Sequence, residues 1–124
     1  MEAKMLEKLL RVNRLLELYS GLLTERHARM TEYYYVDNLS LGEIAEIEAI
    51  SRQAVHDGIE RSVEVMEQAD AAMGLISKTD RISGIAESMS KIASEHGPDA
   101  EAIREKIKEL AEKLSEELQS GGKS

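Results

Sequence analysis

From Met5 to Leu23 the apolar residues Met5, Leu9, Val12, Leu16, Tyr19 and Leu23 recur at steps of four, three, four, three and four. That period keeps one face of a helix apolar turn after turn, and it cannot stay on one face of a strand. Leu6, Leu10, Leu15, Leu18 and Leu22 widen the stripe, so this helix is expected to be buried on more than one side. The same period returns downstream in Ile82, Ile85, Ala86, Met89 and Ile92, and again in Ile103, Ile107, Leu110, Leu114 and Leu118. There is one proline and no long β-branched alternation. The chain is predicted to be all-α, with five or six helices.

Local signals divide those helices. Gly21 falls near the end of the first, and Thr24 is placed to cap a second that runs to about Val36. Asp37-Asn38 reads as a turn. Gly74 and the polar run from Ser77 to Asp80 mark a break or kink, and His96-Gly97-Pro98-Asp99 is a stop-and-restart signal. Glu109 and Lys113 sit four apart on the polar side of the last helix. The expected organisation is an N-terminal helical domain over 1–76, a helical extension over 77–119 and a flexible tail over 120–124. No internal repeat is present.

Between Leu39 and Arg61 the chain reads LSLGEIAEIEAISRQAVHDGIER, which has the form of a helix-turn-helix. Ser40 and Glu43 have capping-box spacing. Leu41, Ile44 and Ala45 give the first helix an apolar face, and small Ala45 lets a second helix cross closely. Ser51 is a good N-cap for that second helix, whose buried stripe is Val55 and Ile59. Arg52, Gln53 and His56 then fall on its open face near the N-terminal end, where a recognition helix meets the major groove. Together with Ser51 and Arg61 they are the candidate nucleic-acid-binding residues. The predicted domain is a three-helix core from about Thr24 to Ala72 carrying this motif, with amphipathic helices added at both ends.

LLTER at 22–26, YYVDNLSLGEIAE at 34–46 and ISRQAV at 50–55 follow one another in an order that resembles the YlxM family, small bacterial helix-turn-helix proteins related to region four of sigma factors. Asp57, Ile59, Arg61 and MGLISK at 73–78 extend the likeness to roughly residues 1–80. The ISRQAV core is shared by many helix-turn-helix proteins; LLTE and the DNLSLGEIAE run are more specific. The resemblance implies a link to the signal recognition particle, through its GTPase or its RNA. The chain departs from the family pattern in four places. Ala49 stands where the turn normally has glycine, at a cost of roughly 1 kcal/mol for the left-handed backbone. Glu48 stands at a usually apolar position, with Ile47 displaced by one. His56 replaces a tyrosine, and Gly58 loosens the second helix by roughly 0.5–1 kcal/mol relative to alanine.

Charge sets this motif apart from a simple DNA binder. The chain carries net −8, and residues 39–61 hold Glu43, Glu46, Glu48, Asp57 and Glu60 against Arg52 and Arg61. Phosphate contacts supply most nonspecific affinity for nucleic acid, so binding to double-stranded DNA is expected to be weak. Arg11, Arg14, Arg26 and Arg29 are the one candidate basic patch.

Other chemistry has little support. Hydrophobic residues make up 42% of the chain and aromatics 3%, so the core must be aliphatic and methionine-rich. Zero cysteines exclude disulfides, thiolate zinc sites and cysteine nucleophiles. His27, His56 and His96 are dispersed, with no metal-ligand spacing. No phosphate loop or nucleophile elbow is present, so neither enzyme activity nor a cofactor or metal is expected. Tyr33, Tyr34 and Tyr35 fit the rim of the motif's core better than a base-stacking platform. Met66, Met73 and Met89 fit core positions better than a soft binding groove. No stretch approaches 18 apolar residues, and the acidic MEAKMLEKLL start differs from a signal peptide. A cytoplasmic protein without membrane insertion is expected. The stripes Met5, Leu9, Val12, Leu16, Tyr19, Leu23 and Ile103, Ile107, Leu110, Leu114 are the candidate oligomer interface of a homodimer. The functional expectation is a non-enzymatic regulatory or accessory protein of the signal recognition particle pathway. A sequence-specific DNA-binding regulator and a helical assembly unit are the alternatives.

Overall fold

A computed structural model describes residues 2–95 and 99–120. It contains α1 (Glu2–Tyr19), a single 3-10 turn (Ser20–Leu22), α2 (Glu25–Tyr35), α3 (Leu41–Glu48), α4 (Arg52–Met73), α5 (Leu75–Glu95) and α6 (Ala100–Ser120). Among the described residues there is no strand. The chain divides into two compact units, 1–72 and 73–124. The break falls four residues ahead of the expected 76/77 boundary.

The first unit is built from α1 to α4. Its core takes Val12, Leu15, Leu16 and Tyr19 from α1, Met30 and Tyr35 from α2, Ile44 and Ala45 from α3, and Val55, Ile59 and Met66 from α4. The first helix is therefore part of this core and not an addition to a three-helix domain. This corrects the interface assignment for Val12, Leu16 and Tyr19: all three are buried within the chain's own core. Leu23 is half-buried, while Met5 and Leu9 remain exposed. Two buried hydroxyls are satisfied inside their own helices. Thr31 Oγ1 donates to the His27 carbonyl at 2.7 Å and Ser62 Oγ to the Gly58 carbonyl at 2.9 Å, so neither leaves a costly unpaired polar group. Across the unit, the Tyr19 hydroxyl donates to Asp70 Oδ1 at 2.8 Å and ties α1 to α4.

The turns follow their local chemistry. Thr24 Oγ1 accepts from the His27 N–H and opens α2. Asn38 takes the left-handed conformation (φ 58°), a residue type that tolerates it. The Leu39 N–H reaches back to the Tyr33 carbonyl and closes the end of α2. Ser40 and Glu43 form both bonds of the capping box. Ser51 Oγ accepts from the Ala54 N–H at 3.0 Å and caps α4.

In the second unit α5 and α6 form an antiparallel hairpin. Arg81, near the start of α5, pairs with Glu117, near the end of α6, at 2.8 Å. Ile103, Ile107, Leu110 and Leu114 are half-buried, and Leu110 lies in grooves shared with Ile85 and Ile92 of α5. Of the stripe expected to meet another chain, Leu110 thus faces α5. Leu118 leaves that stripe and is exposed. Gly74 takes φ +63° and breaks the chain, but α5 restarts at Leu75 and the polar run Ser77–Asp80 is helical. Asp99 Oδ1 accepts from the Ala102 N–H and opens α6. The rest of the restart signal, His96 to Pro98, and tail residues 121–124 lie outside the described residues.

Candidate nucleic-acid interface

The motif is α3 and α4 joined at Ala49. Ala49 is left-handed (φ 56°, ψ 44°), and its N–H and that of Ile50 both reach the Ala45 carbonyl. On α4, Val55, Gly58, Ile59 and Ser62 face inward, while Arg52, Gln53, His56, Asp57, Glu60 and Arg61 are exposed. The expected readers thus share the open side of the helix with two carboxylates. Gln53 is tied to one of them, its Nε2 donating to Asp57 Oδ1 at 2.8 Å. His56 Nδ1 lies 3.4 Å from the same oxygen. Arg61 is 3.7 Å from Glu64. Arg52 passes over α3, where a Cβ built on Gly42 would stand 3.8 Å from its Nε.

The four arginines of the N-terminal half do not form one patch. Arg11 reaches α4, with Nη2 at 2.6 Å from Glu67 and 3.1 Å from Asp70. Arg14 pairs with Glu17 of its own helix at 2.8 Å. Arg26 and Arg29 converge on Glu48 at the end of α3. Arg29 is bidentate, Nε to Oε2 at 2.9 Å and Nη2 to Oε1 at 2.7 Å, and Arg26 Nε stands 3.3 Å from Oε1. The Glu48 side chain is only 5% exposed, while those of Arg29 and Arg26 are about half exposed. Hydrogen bonds from Arg29 hold the Glu48 carboxyl below its usual pKa; burial opposes this, and the charges of both arginines add to it. The acid at this usually apolar position is therefore paired instead of displaced outward, and the neighbouring Ile47 takes the solvent side at 55% exposure.

Gly58 has a use that helix propensity hides. It is buried, and a Cβ there would stand 2.7 Å from Met30 Cε and 3.5 Å from the His27 ring. Its missing side chain lets α2 and α4 approach closely.

The match to known proteins agrees with this geometry. Residues 6–110 match the family model described as "Putative helix-turn-helix protein, YlxM / p13 like", UPF0122. The chain belongs to the UPF0122 family. It is 41% identical to a UPF0122 protein of Geobacillus kaustophilus over 109 residues, covering 87% of this chain and 98% of the relative. Identity to a UPF0122 protein of Shouchella clausii is 43% over 97 residues, or 77% and 89% of the two chains. A third, from Halalkalibacterium halodurans, is 37% identical over 110 residues, 89% and 96% of the two.

The remaining sequence candidates scatter in this family member. Tyr35 is buried and Tyr34 stands edge-on to it at 5.0 Å between ring centres. Burial pushes the Tyr35 phenol pKa up, with Lys8 opposing. Met66 is core, Met73 is exposed and Met89 half-buried. His27 and His56 do not join a metal-ligand cluster among the described residues, and His96 lies outside them. No helix among the described residues is long and apolar enough to cross a membrane. The link missed by sequence reasoning is Glu48 with Arg26 and Arg29. The signal was an acid at a core position of the motif, but its partners are about twenty residues away and only the fold brings them close.

Proposed function

We propose that this chain is a non-enzymatic, cytoplasmic regulatory or accessory protein of the signal recognition particle pathway. In this reading the helix-turn-helix is a scaffold for contact with protein, the particle's GTPase first, with the particle's RNA as a weaker ligand. The observation that carries the reading is charge neutralisation. Arg11, Arg14, Arg26 and Arg29 each pair with a carboxylate, and the open side of α4 carries Asp57 and Glu60. Few cations are left to displace counterions from a phosphate backbone. The pathway itself rests on the family resemblance.

A second reading is a sequence-specific DNA-binding regulator. Its support is the exposure of Arg52, Gln53 and His56 in the first turns of α4, behind the Ser51 cap. Bidentate side chains at that end of a helix read base edges. The two readings part in one experiment. The purified chain is titrated with duplex DNA and with the particle's RNA across a salt series, beside a pull-down with the purified GTPase. Retention by the GTPase with DNA binding that vanishes at physiological salt is the expected result. Tight DNA binding at that salt, lost in Arg52→Ala/Gln53→Ala, replaces the first reading with the second. Tight binding that survives the double change rejects both the weak affinity and these readers.

A further inference from the structure

Glu48 is the one acid in the motif that is buried, and its carboxylate fills the fork of Arg29 while touching Arg26. A guanidinium fork matches a carboxylate and a phosphate with the same two parallel hydrogen bonds. We propose that Arg26 and Arg29 form a site for the phosphodiester backbone of nucleic acid, and that Glu48 occupies it as an internal competitor. The arginines are suited to the role: they lie one turn apart on α2 and their side chains are about half exposed, so a phosphate can reach them from solvent. Two guanidiniums share the single buried carboxylate of Glu48, and Glu25 is a further acid that acts on Arg29 through its charge alone. Arg26, at 3.3 Å and with one nitrogen engaged, is the more loosely held of the two.

The other candidate cations differ in kind. Arg11 faces two carboxylates from α4, so removing one acid leaves it paired. Arg14 and Arg61 are held by neighbours on their own helices. Glu48 is a single side chain that holds two arginines. The inference rests on the weak nucleic-acid binding proposed above and names the residue that makes it weak.

The test is fluorescence anisotropy with a short random-sequence duplex and, separately, a single-stranded RNA, between about 50 and 200 mM salt. Glu48→Gln is expected to tighten duplex binding by about tenfold at low salt. It should also steepen the logarithmic salt dependence by roughly 1.8, the value for two further phosphate contacts, with a smaller increase for the single strand. Adding Arg26→Ala and Arg29→Ala to Glu48→Gln should return both quantities to those of the unmodified chain. In the unmodified chain Arg26→Ala alone should change neither. Should Glu48→Gln prove unstable, Glu48→Leu, which places an apolar side chain at this buried position, is expected to give the same gain in affinity and slope. A folded Glu48→Gln protein with unchanged affinity and slope overturns the inference and leaves the proposed function standing. Tight binding by the unmodified chain that is lost with Arg26→Ala overturns both.

Discussion

Ala49 holds a left-handed backbone (φ 56°, ψ 44°) at the hinge of the motif. Its Cβ makes that conformation cost about 1 kcal/mol, which glycine avoids. Glycine gives some of this back through its freer unfolded chain. Ala49→Gly is therefore expected to stabilise the protein by up to about 1 kcal/mol, seen as a higher urea midpoint with an unchanged slope. A lower midpoint would show that Ala49 is not strained. At Glu48 and Glu43 the effect is electrostatic. Both carboxyls are held below their usual pKa, Glu48 first by hydrogen bonds from Arg29 and Glu43 first by the Ser40 backbone N–H. A depressed pKa means stability that is present above the ordinary carboxylate range and lost as the pH falls through the folded values. The melting temperature should hold a plateau down to roughly pH 4.3 and fall below it. Glu48→Gln should lower the plateau and make the acid fall shallower. An identical acid fall in both proteins would remove Glu48 from the account.

At the scale of elements, α2 and α4 approach through Gly58, where a Cβ would stand 2.7 Å from the methyl of buried Met30. Gly58→Ala gains about 0.5–1 kcal/mol of helix propensity but overpacks a filled site, at about 1–3 kcal/mol. A net loss of about 1 kcal/mol is expected in chemical denaturation. A gain would mean that Met30 moves aside at little cost. Gly58 also marks where sequence reading stops. The capping box, the Thr24 and Ser51 caps, the Asp37-Asn38 turn and the break at Gly74 were legible because each depends on residues within one turn of chain. The Gly58 contact, the Glu48 pairs and the bond from Tyr19 to Asp70 join residues 19–51 positions apart. Periodicity states only that a face is apolar. It does not state which face of which helix will cover it. For that reason the stripe with Val12, Leu16 and Tyr19 reads from sequence as a contact with another chain, whereas these three residues belong to their own core. The site residues divide the same way: the exposure of Arg52, Gln53 and His56 follows from the α4 stripe, whereas the neutralisation of the arginines appears only once the helices are packed.

At the scale of the whole molecule, α1 is left half covered. Its described residues from Glu2 to Arg11 are all exposed, with Met5 at 73% and Leu10 at 58%. Leu6 and Leu10 are turned away from the line of Val12, Leu15, Leu16 and Tyr19, so the core of the first unit does not extend to them. A helical stretch of about ten residues gains little from propensity alone and depends on packing for its stability, and a run of four exposed large apolar side chains marks an interaction surface. We propose that a second copy of the chain covers it. Glu2, Lys4, Glu7 and Lys8 leave residues 2–10 with no net charge, while acids outnumber bases by six over residues 1–72. Two copies of an acidic protein meet at least electrostatic cost where their surfaces are neutral, and a shared apolar strip satisfies a two-fold contact of like with like. Light scattering at tens of micromolar should give twice the chain mass. Leu6→Glu with Leu10→Glu should give a monomer with an unchanged circular dichroism spectrum, because neither residue belongs to the core; Leu16, which does, is unsuited to the test. A monomeric parent protein would reject the dimer and point to cover from elsewhere in the chain. A dimer that survives both glutamates would move the contact away from α1.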